Sequence, residues 1–379
     1  MLYQAPTLTA RDHERIDRIR VLHESLSYAV TTAPARWQTL FRRDTLARAV
    51  CGSIGIEGFV VSVEDAIAIG EGESAVDADP AAIAAAEGFT MAKSYVLELA
   101  TDPHFEYSDA LVRSLHYMML RHDPSKNPGR WRSGPTNLLD PATEEIIYDG
   151  PDAAAIPKLA RELFDDLNES ERSATPVVVR GAVAYANIIL LQPFSDGNGR
   201  MARCVQTLVT ARAEPRAPEY GSLSEHLAMH APAYHKAIRQ VAGRRWDPTR
   251  DIRPWLDLCL DAHEEYTQTL LDRARDMKRL WDLLEAEVRR RDLPARVICG
   301  LLDAAMGSRV RNAMYRSAAE ISDQVAGRDL VHAVSAGLLV SRGDGRGRYY
   351  VSSEHLRAVS DRTRAADGRR MGTLRAVAS

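Results

Sequence analysis

Gln192-Pro-Phe-Ser-Asp-Gly-Asn-Gly-Arg-Met-Ala-Arg203 places an acid, an amide and two glycines between two apolar helical stretches. On its N-terminal side, Val179, Ala182, Val183, Ala186 and Leu190 recur at steps of three and four, the period of a buried helix face, after an opening at Thr175-Pro176. Pro193 disfavours helical geometry at Gln192, so that helix ends there and a tight turn runs from 193 to 197. From Asn198 a second helix begins, with Met201, Cys204, Val205 and Leu208 facing inward. Gly197 and Gly199 let backbone N–H groups approach an anion with no Cβ in the way, and a helix N-terminus attracts phosphate. Arg200 and Arg203, three residues apart, share a face and can fork onto phosphate oxygens. Asp196 is a hard oxygen ligand, suited to Mg²⁺ held jointly with substrate phosphates. Taken alone, a glycine-rich turn need be no more than a turn with solvated arginines; the arginine spacing and flanking helices favour a nucleotide polyphosphate site.

Outward from this turn, helical periodicity dominates. Arg11–Val30 carries Ile16, Ile19, Leu22, Leu26 and Tyr28 among charges, and a helix over 44–56 stops at Gly58. Ser62-x-x-Asp65 resembles a capping box opening a short helix; Ala81–Ala100 and Ser108–Arg121 also have helical spacing. Prolines at 124, 128, 135, 141, 151 and 157 exclude a long helix from 123 to 157, leaving a loop or hairpin insert. Leu256, Leu260, His263, Thr267, Leu270, Ala274, Met277, Trp281, Leu284 and Val288 step by four and three up to Pro294, the pattern of one long helix. The same period fits a coiled-coil dimer seam, but polar His263 and Thr267 and small Ala274 favour packing within the chain.

The 379 residues carry 49 Lys+Arg against 52 Asp+Glu, a balance that argues against nucleic-acid binding through net charge. Four dispersed cysteines, Cys51, Cys204, Cys259 and Cys299, form no C-x-x-C pair and read as buried thiols in a reducing compartment. The N-terminus reads as neither a signal nor a transit peptide, and no run of about 18 apolar residues offers a membrane span. The expectation is a cytoplasmic protein with no membrane partner.

The 192–203 segment resembles the signature of the Fic family, H-x-F-x-(D/E)-G-N-G-R-x-x-R, whose best-known members transfer AMP from ATP to a protein hydroxyl. The resemblance covers about Arg36 to Ser352. It implies a mainly α Fic/Fido fold with a small β-hairpin flap, and nucleotide contacts from Phe194, Asp196, Gly197, Asn198, Gly199, Arg200 and Arg203. Mg²⁺ on Asp196 is the implied cofactor, ATP the implied substrate, and Asp196 and Arg203 join the catalytic set. Gly129-Arg-Trp-Arg132 is similar to the start of the family's flap, on which target peptides dock by strand addition; Gly129, Trp131 and Arg132 are its expected residues, within a flap from about 129 to 148. Where the family has its catalytic histidine this chain has Gln192, which cannot accept a proton near neutral pH. That substitution leaves open a slow transferase, a nucleotide-binding pseudoenzyme, a base supplied from elsewhere, or an introduced inactivating change.

Ser53-Ile-Gly-Ile-Glu57-Gly58 resembles the family's inhibitory motif, (S/T)-x-x-x-E-(G/N), in which the glutamate reaches the second signature arginine. The implied inhibitory pair is Glu57 with Arg203, and the four-residue step puts Ser53 on the face of Glu57. Farther on, helices over 295–306, 317–325 and 328–336 and strand-like 338–340 and 349–352 suggest a winged helix, similar to the tail of many bacterial Fic proteins. Its tip, Ser341–Arg348, holds three arginines on glycine-rich backbone. The chain is read as an N-terminal region with the inhibitory helix (1–100), Fic core (101–245), connecting helix (246–294), winged helix (295–355) and flexible tail (356–379). The leading function is an autoinhibited adenylyltransferase acting on a protein Ser, Thr or Tyr hydroxyl, its rate impaired by Gln192. The alternative is a catalytically silent nucleotide-binding regulator or a DNA-binding protein, with a homodimer or DNA as further partners.

Overall fold

A computed structural model of the chain describes residues 1–75, 77–139, 145–171, 173–214 and 217–365. The inner part of the flap, 140–144, and most of the expected tail, with Arg369 and Arg370, lie outside the described residues. Helix α1 (Ala10–Thr31) opens on a Thr9/Asp12 box, in which Asp12 Oδ2 accepts from Thr9 N at 2.7 Å and Thr9 Oγ1 from Asp12 N at 3.2 Å. Helix α2 (Ala35–Ile56) starts nine residues before the expected Asp44, since Trp37, Leu40 and Phe41 continue its buried face. The expected cap is present at α3 (Val63–Gly70), where Ser62 accepts from Asp65 N. Asp79 and Pro80 open α4 (Pro80–Thr101), and Ser108 caps α5 (Asp109–Leu120).

The proline-rich insert holds β1 (Asn137–Leu139) and β2 (Ile146–Asp149), paired antiparallel. Helix α6 (Ile156–Ser170) follows, then α7 (Val177–Leu191), α8 (Asn198–Ala213), α9 (Ser224–Met229), α10 (Ala231–Ala242) and α11 (Arg253–Arg290). The C-terminal elements are α12 (Ile298–Ala305), α13 (Asn312–Ala319), α14 (Asp323–Ser335), the antiparallel pair β3 (Leu339–Arg342) and β4 (Tyr349–Ser352), and α15 (Glu354–Ala365). Among the described residues no helix is long and apolar enough to cross a membrane.

The chain forms two compact units, each assembled from segments distant in sequence: 1–24, 46–61 and 77–268, and 25–45, 62–76 and 269 onward. In the first, α7 and α8 pack along most of their length, with α4 against α8 and α5 against α4. Val179, Ala182, Ala186 and Leu190 are buried with Met201, Cys204, Val205 and Leu208, whereas Val183 is only partly covered. Trp255 Nε1 donates to Ala182 O at 2.9 Å, and Asn187 exchanges hydrogen bonds with Tyr3 N and O at 2.9 and 3.0 Å, so an internal amide fixes the N-terminal segment. All ten inward positions read along α11 are buried within a single chain, including His263 and Thr267, which makes this face part of the core rather than an exposed seam.

In the second unit, Asp329 takes two bonds from Arg296, at 2.7 and 3.1 Å, and one from Tyr315 OH at 2.9 Å. The expected helix over 317–325 does not exist as such. Glu320 adopts a left-handed conformation that ends α13, and Ser322 caps the start of α14. The tip between β3 and β4 turns through Gly343 and Gly345, both at positive φ, and Arg342 and Arg348 are exposed. Of the four cysteines, Cys204, Cys259 and Cys299 are buried as expected, and Cys51 is half-buried.

Candidate functional site

The turn between α7 and α8 is built from a left-handed residue at each end. Gln192 closes α7 at φ 47°, ψ 58°, the way out of the helix that a following proline leaves, and Gly197 opens α8 at φ 74°. The positive φ favours glycine there, and an added Cβ would also stand 3.0 Å from Leu120 Cδ1, pressing on the end of that side chain. No side chain caps α8, and its first N–H groups face a cavity of about 270 Å³ lined by Glu57, Asn137, Gln192, Asp196, Gly199 and His235.

Gln192, Phe194 and Asn198 form one buried network. Asn198 Oδ1 accepts from Phe194 N at 2.9 Å, and Asn198 Nδ2 donates to Phe194 O at 2.8 Å and to Gln192 Oε1 at 2.9 Å. Gln192 Nε2 donates to Ile189 O at 2.7 Å. Both ends of the Gln192 amide are therefore engaged with its own turn, and Asn198 serves chiefly to hold the turn's shape.

Arg200 and Arg203 are 3 % and 1 % exposed at their side chains. Arg203 Nε donates to Ser53 Oγ at 2.7 Å, and its Nη2 donates to Ser53 O at 3.0 Å and to Glu57 Oε1 at 2.5 Å. Burial works most strongly against the charge on Arg203, but Glu57 together with Tyr185 and Tyr234 outweighs it, and the guanidinium pKa stands above its ordinary value. The expected partners Ser53, Glu57 and Arg203 thus meet at the end of α2. A Cβ on Gly199 would lie 2.8 Å from Glu57 Oε1 and 3.3 Å from Arg203 Nη1, so this glycine lets the carboxylate reach the arginine over the helix start. Arg203 Nη1 and Arg200 Nε are buried and have no protein acceptor. Such orphaned donors beside a helix N-terminus fit phosphate oxygens.

Asp196 accepts from Gly197 N at 2.6 Å, with Lys126 Nζ 3.2 Å and Arg200 Nη2 3.8 Å from its carboxylate. One accessible carboxylate beside the anion cradle matches the donor set Mg²⁺ uses with a nucleotide. The flap residues are divided in role. Trp131 lies on Phe194, ring centres 4.9 Å apart, while Gly129 N donates to His116 Nδ1 at 2.9 Å. Arg132 is buried and donates to Gln192 O at 2.6 Å, Gly134 O at 2.7 Å and Pro151 O. The arginine expected at a docking surface is instead spent on backbone carbonyls that fasten the flap to the turn. Leu139 and Ile146, the last and first described residues of the paired strands β1 and β2, are exposed.

From the sequence, His116 reads as a lone histidine with a core or surface role and no metal to bind, and nothing in it points to Lys126 or His235. His116 stacks on Phe194 at 3.7 Å, opposite in character to an exposed ligand histidine, and its Nε2 donates to Asp196 O at 3.0 Å. Because Nδ1 accepts from Gly129, the tautomer is fixed, and burial pushes the ring's pKa down to about 4. The helical position of His116 in α5 was legible; its role depends on contacts with 129 and 194–196. His235 lines the cavity from α10, an element the sequence reading did not delimit.

The Fic/DOC family model matches residues 106–209, so the chain carries a Fic/DOC family domain. The chain is 27 % identical over 136 residues to Protein adenylyltransferase fic-1 of Caenorhabditis briggsae, a match over 33 % of this chain and 25 % of that protein. It is 35 % identical over 82 residues to Protein adenylyltransferase and cysteine protease IbpA of Histophilus somni (strain 2336), covering 22 % of this chain and 2 % of that one. The chain thus spans about a quarter or less of the length of these relatives. A Fic family protein of Desulfovibrio desulfuricans G20 shares the fold with TM-score 0.55 and 20 % identity, over 93 % of this chain and 99 % of that one. Fic-1 (aa134–508) of C. elegans has TM-score 0.51 and 21 % identity, over 69 % and 73 %. The architecture is the mainly helical Fic fold.

Proposed function

We propose that this chain binds Mg²⁺ and a nucleoside triphosphate at the α7–α8 turn, and is an AMP-transfer scaffold restrained twice, by Glu57 and by Gln192. The observation that carries the reading is the buried Arg203, held by Ser53 and Glu57 while Nη1 is left without an acceptor. A carboxylate on that guanidinium occupies the place of a phosphate oxygen and repels its charge, so productive triphosphate binding requires Glu57 to withdraw. Asp196 would hold Mg²⁺, which supplies charge neutralisation on the phosphates; Lys126 then releases the carboxylate and is free to meet a phosphate itself.

In the transfer, the target hydroxyl oxygen forms a bond to the α-phosphorus and the bond to the bridging oxygen breaks, with pyrophosphate taking the electron pair. The hydroxyl proton needs an acceptor, and the Gln192 amide offers none. Its engagement with Ile189 and Asn198 also favours the second reading, a silent nucleotide-binding regulator. The three helices and hairpin of the C-terminal segment are read as a winged helix, which would deliver the output of either form.

Incubation with Mg²⁺ and α-labelled ATP separates these readings. Nucleotide binding is expected in wild type, Glu57→Gly and Glu57→Gly/Gln192→His, and label on protein chiefly in the last, at a rate about 10²–10⁴ above Glu57→Gly alone. Efficient labelling by Glu57→Gly alone makes Gln192 no barrier; no binding in any form overturns both readings.

A further inference from the structure

The nucleotide site leaves unused a cluster elsewhere in the first unit. His226 near the middle of α9, His230 just beyond its end and Glu265 on α11 bring one ligand atom each to within 4.8 Å of one another, and among the described residues this is the one group of three or more His, Cys, Asp or Glu so gathered. His226 Nε2 lies 3.8 Å from Glu265 Oε2, and the two imidazole centres are 4.2 Å apart. Ligands about 2.0–2.1 Å from a tetrahedral zinc stand about 3.4 Å from each other, so small side-chain rotations close the set. We propose that His226, His230 and Glu265 form a binding site for a divalent transition ion of the zinc class, with one or more positions left to water.

The local geometry supports this beyond proximity. His230 Nδ1 lies 3.0 Å from His226 O; a carbonyl only accepts, so Nδ1 carries the proton and Nε2 is the ring nitrogen left with a lone pair. A backbone carbonyl orienting a ligand histidine in this way is the usual second layer of such sites. His226 is buried, so its ring is held in place by its surroundings. Two imidazoles and one carboxylate select zinc, cobalt or nickel over Mg²⁺ and Ca²⁺, which take all-oxygen sets. The scaffold is also firm: adjacent Glu225 accepts from Tyr266 OH at 2.8 Å and stands 3.8 Å from Arg48 on α2. An ion here would join α9 to α11.

The test uses the untagged, chelator-treated full chain without nucleotide, titrated with Zn²⁺ by calorimetry and with Co²⁺ by visible absorption. One Zn²⁺ per chain is expected, with Co²⁺ bands of low coordination number and a raised thermal midpoint. His230→Ala and Glu265→Gln, both at exposed positions, should each weaken Zn²⁺ binding at least tenfold and alter the Co²⁺ spectrum, while Asp196→Asn titrates as wild type. Variants that titrate like wild type, an absence of saturable binding, or loss of binding in Asp196→Asn would each overturn the proposal. Should His226→Ala fail to fold, the two exposed variants decide the matter alone.

Discussion

Two turns in this molecule carry arginines on glycine-rich backbone, and they differ in what surrounds them. In the 192–203 turn, Arg200 and Arg203 are almost wholly buried, one with its carboxylate partner supplied by a distant helix. At the 341–348 hairpin tip, Arg342 and Arg348 project into solvent. Both turns need glycine at positive φ, at Gly197 in one and at Gly343 and Gly345 in the other. Shared composition therefore reports a shared backbone requirement. Burial separates them electrostatically: a guanidinium taken out of water interacts strongly with whatever anion reaches it, whereas an exposed one is screened.

The sharpest way to break this contrast is Arg203→Ala. It leaves Glu57 and Ser53 without their buried cation and is expected to lower stability by about 3–5 kcal/mol and to abolish triphosphate binding. Urea denaturation and nucleotide titration read both. Wild-type stability in this variant would place the two arginine turns in one class.

Acidification should distinguish them next. His116 lies against the 194–196 backbone, whereas the hairpin tip contains no histidine. Its folded pKa of about 4 lies below the ordinary 6.5, so the unfolded chain takes up the proton first. The stability it contributes is complete above pH 6.5 and is lost as pH falls through about 4, a change of roughly 3 kcal/mol from this ring. His116→Asn should flatten that part of the stability profile; an unchanged profile would remove His116 as its source.

Glu57→Gln tests the anion competition in isolation, because the amide keeps the shape and removes the charge. Nucleotide affinity should rise about tenfold, close to 1.4 kcal/mol, as read by titration with a fluorescent triphosphate. Equal affinity in both forms would sink the blocking role of Glu57. The smallest effect belongs to the exposed turn: Arg342→Ala with Arg348→Ala should change stability by no more than about 0.5 kcal/mol. A larger loss would show that the hairpin tip is packed after all, and salt-dependent DNA binding lost in the double variant would favour the DNA-binding alternative.

Much of the architecture was legible because local signals agreed. Pro193 and the left-handed end of α7, Ser62 as a cap, and the four-three stepping of α11 are properties of short windows, and each has its counterpart in the structure. The α13–α14 boundary was misplaced because Glu320 in a left-handed conformation has no distinctive residue type to mark it. Helix α6 went undelimited although Ile156, Leu159, Ala160, Leu163, Phe164 and Leu167 form a clean buried face, hidden by the prolines just before it. At the site, the residues of the turn and of the α2 end stood out by type and spacing. Arg132 was placed in the flap, but its use as a fastener depends on carbonyls at 134, 151 and 192.

The sequence by itself determined the helical periodicity, the broken segment before α6, and the glycine, acid and arginine pattern of the 192–203 turn, because each follows from backbone sterics or side-chain chemistry within a few residues. The pairing of Glu57 with Arg203 followed from the family resemblance; only the tertiary structure decided that Ser53, about 150 positions away, also bonds Arg203, that His116 is buried against Phe194 beneath the turn, and that two histidines of α9 and its end face a glutamate of α11. Those facts depend on which helices pack together and how much water they exclude, and no local window carries that information.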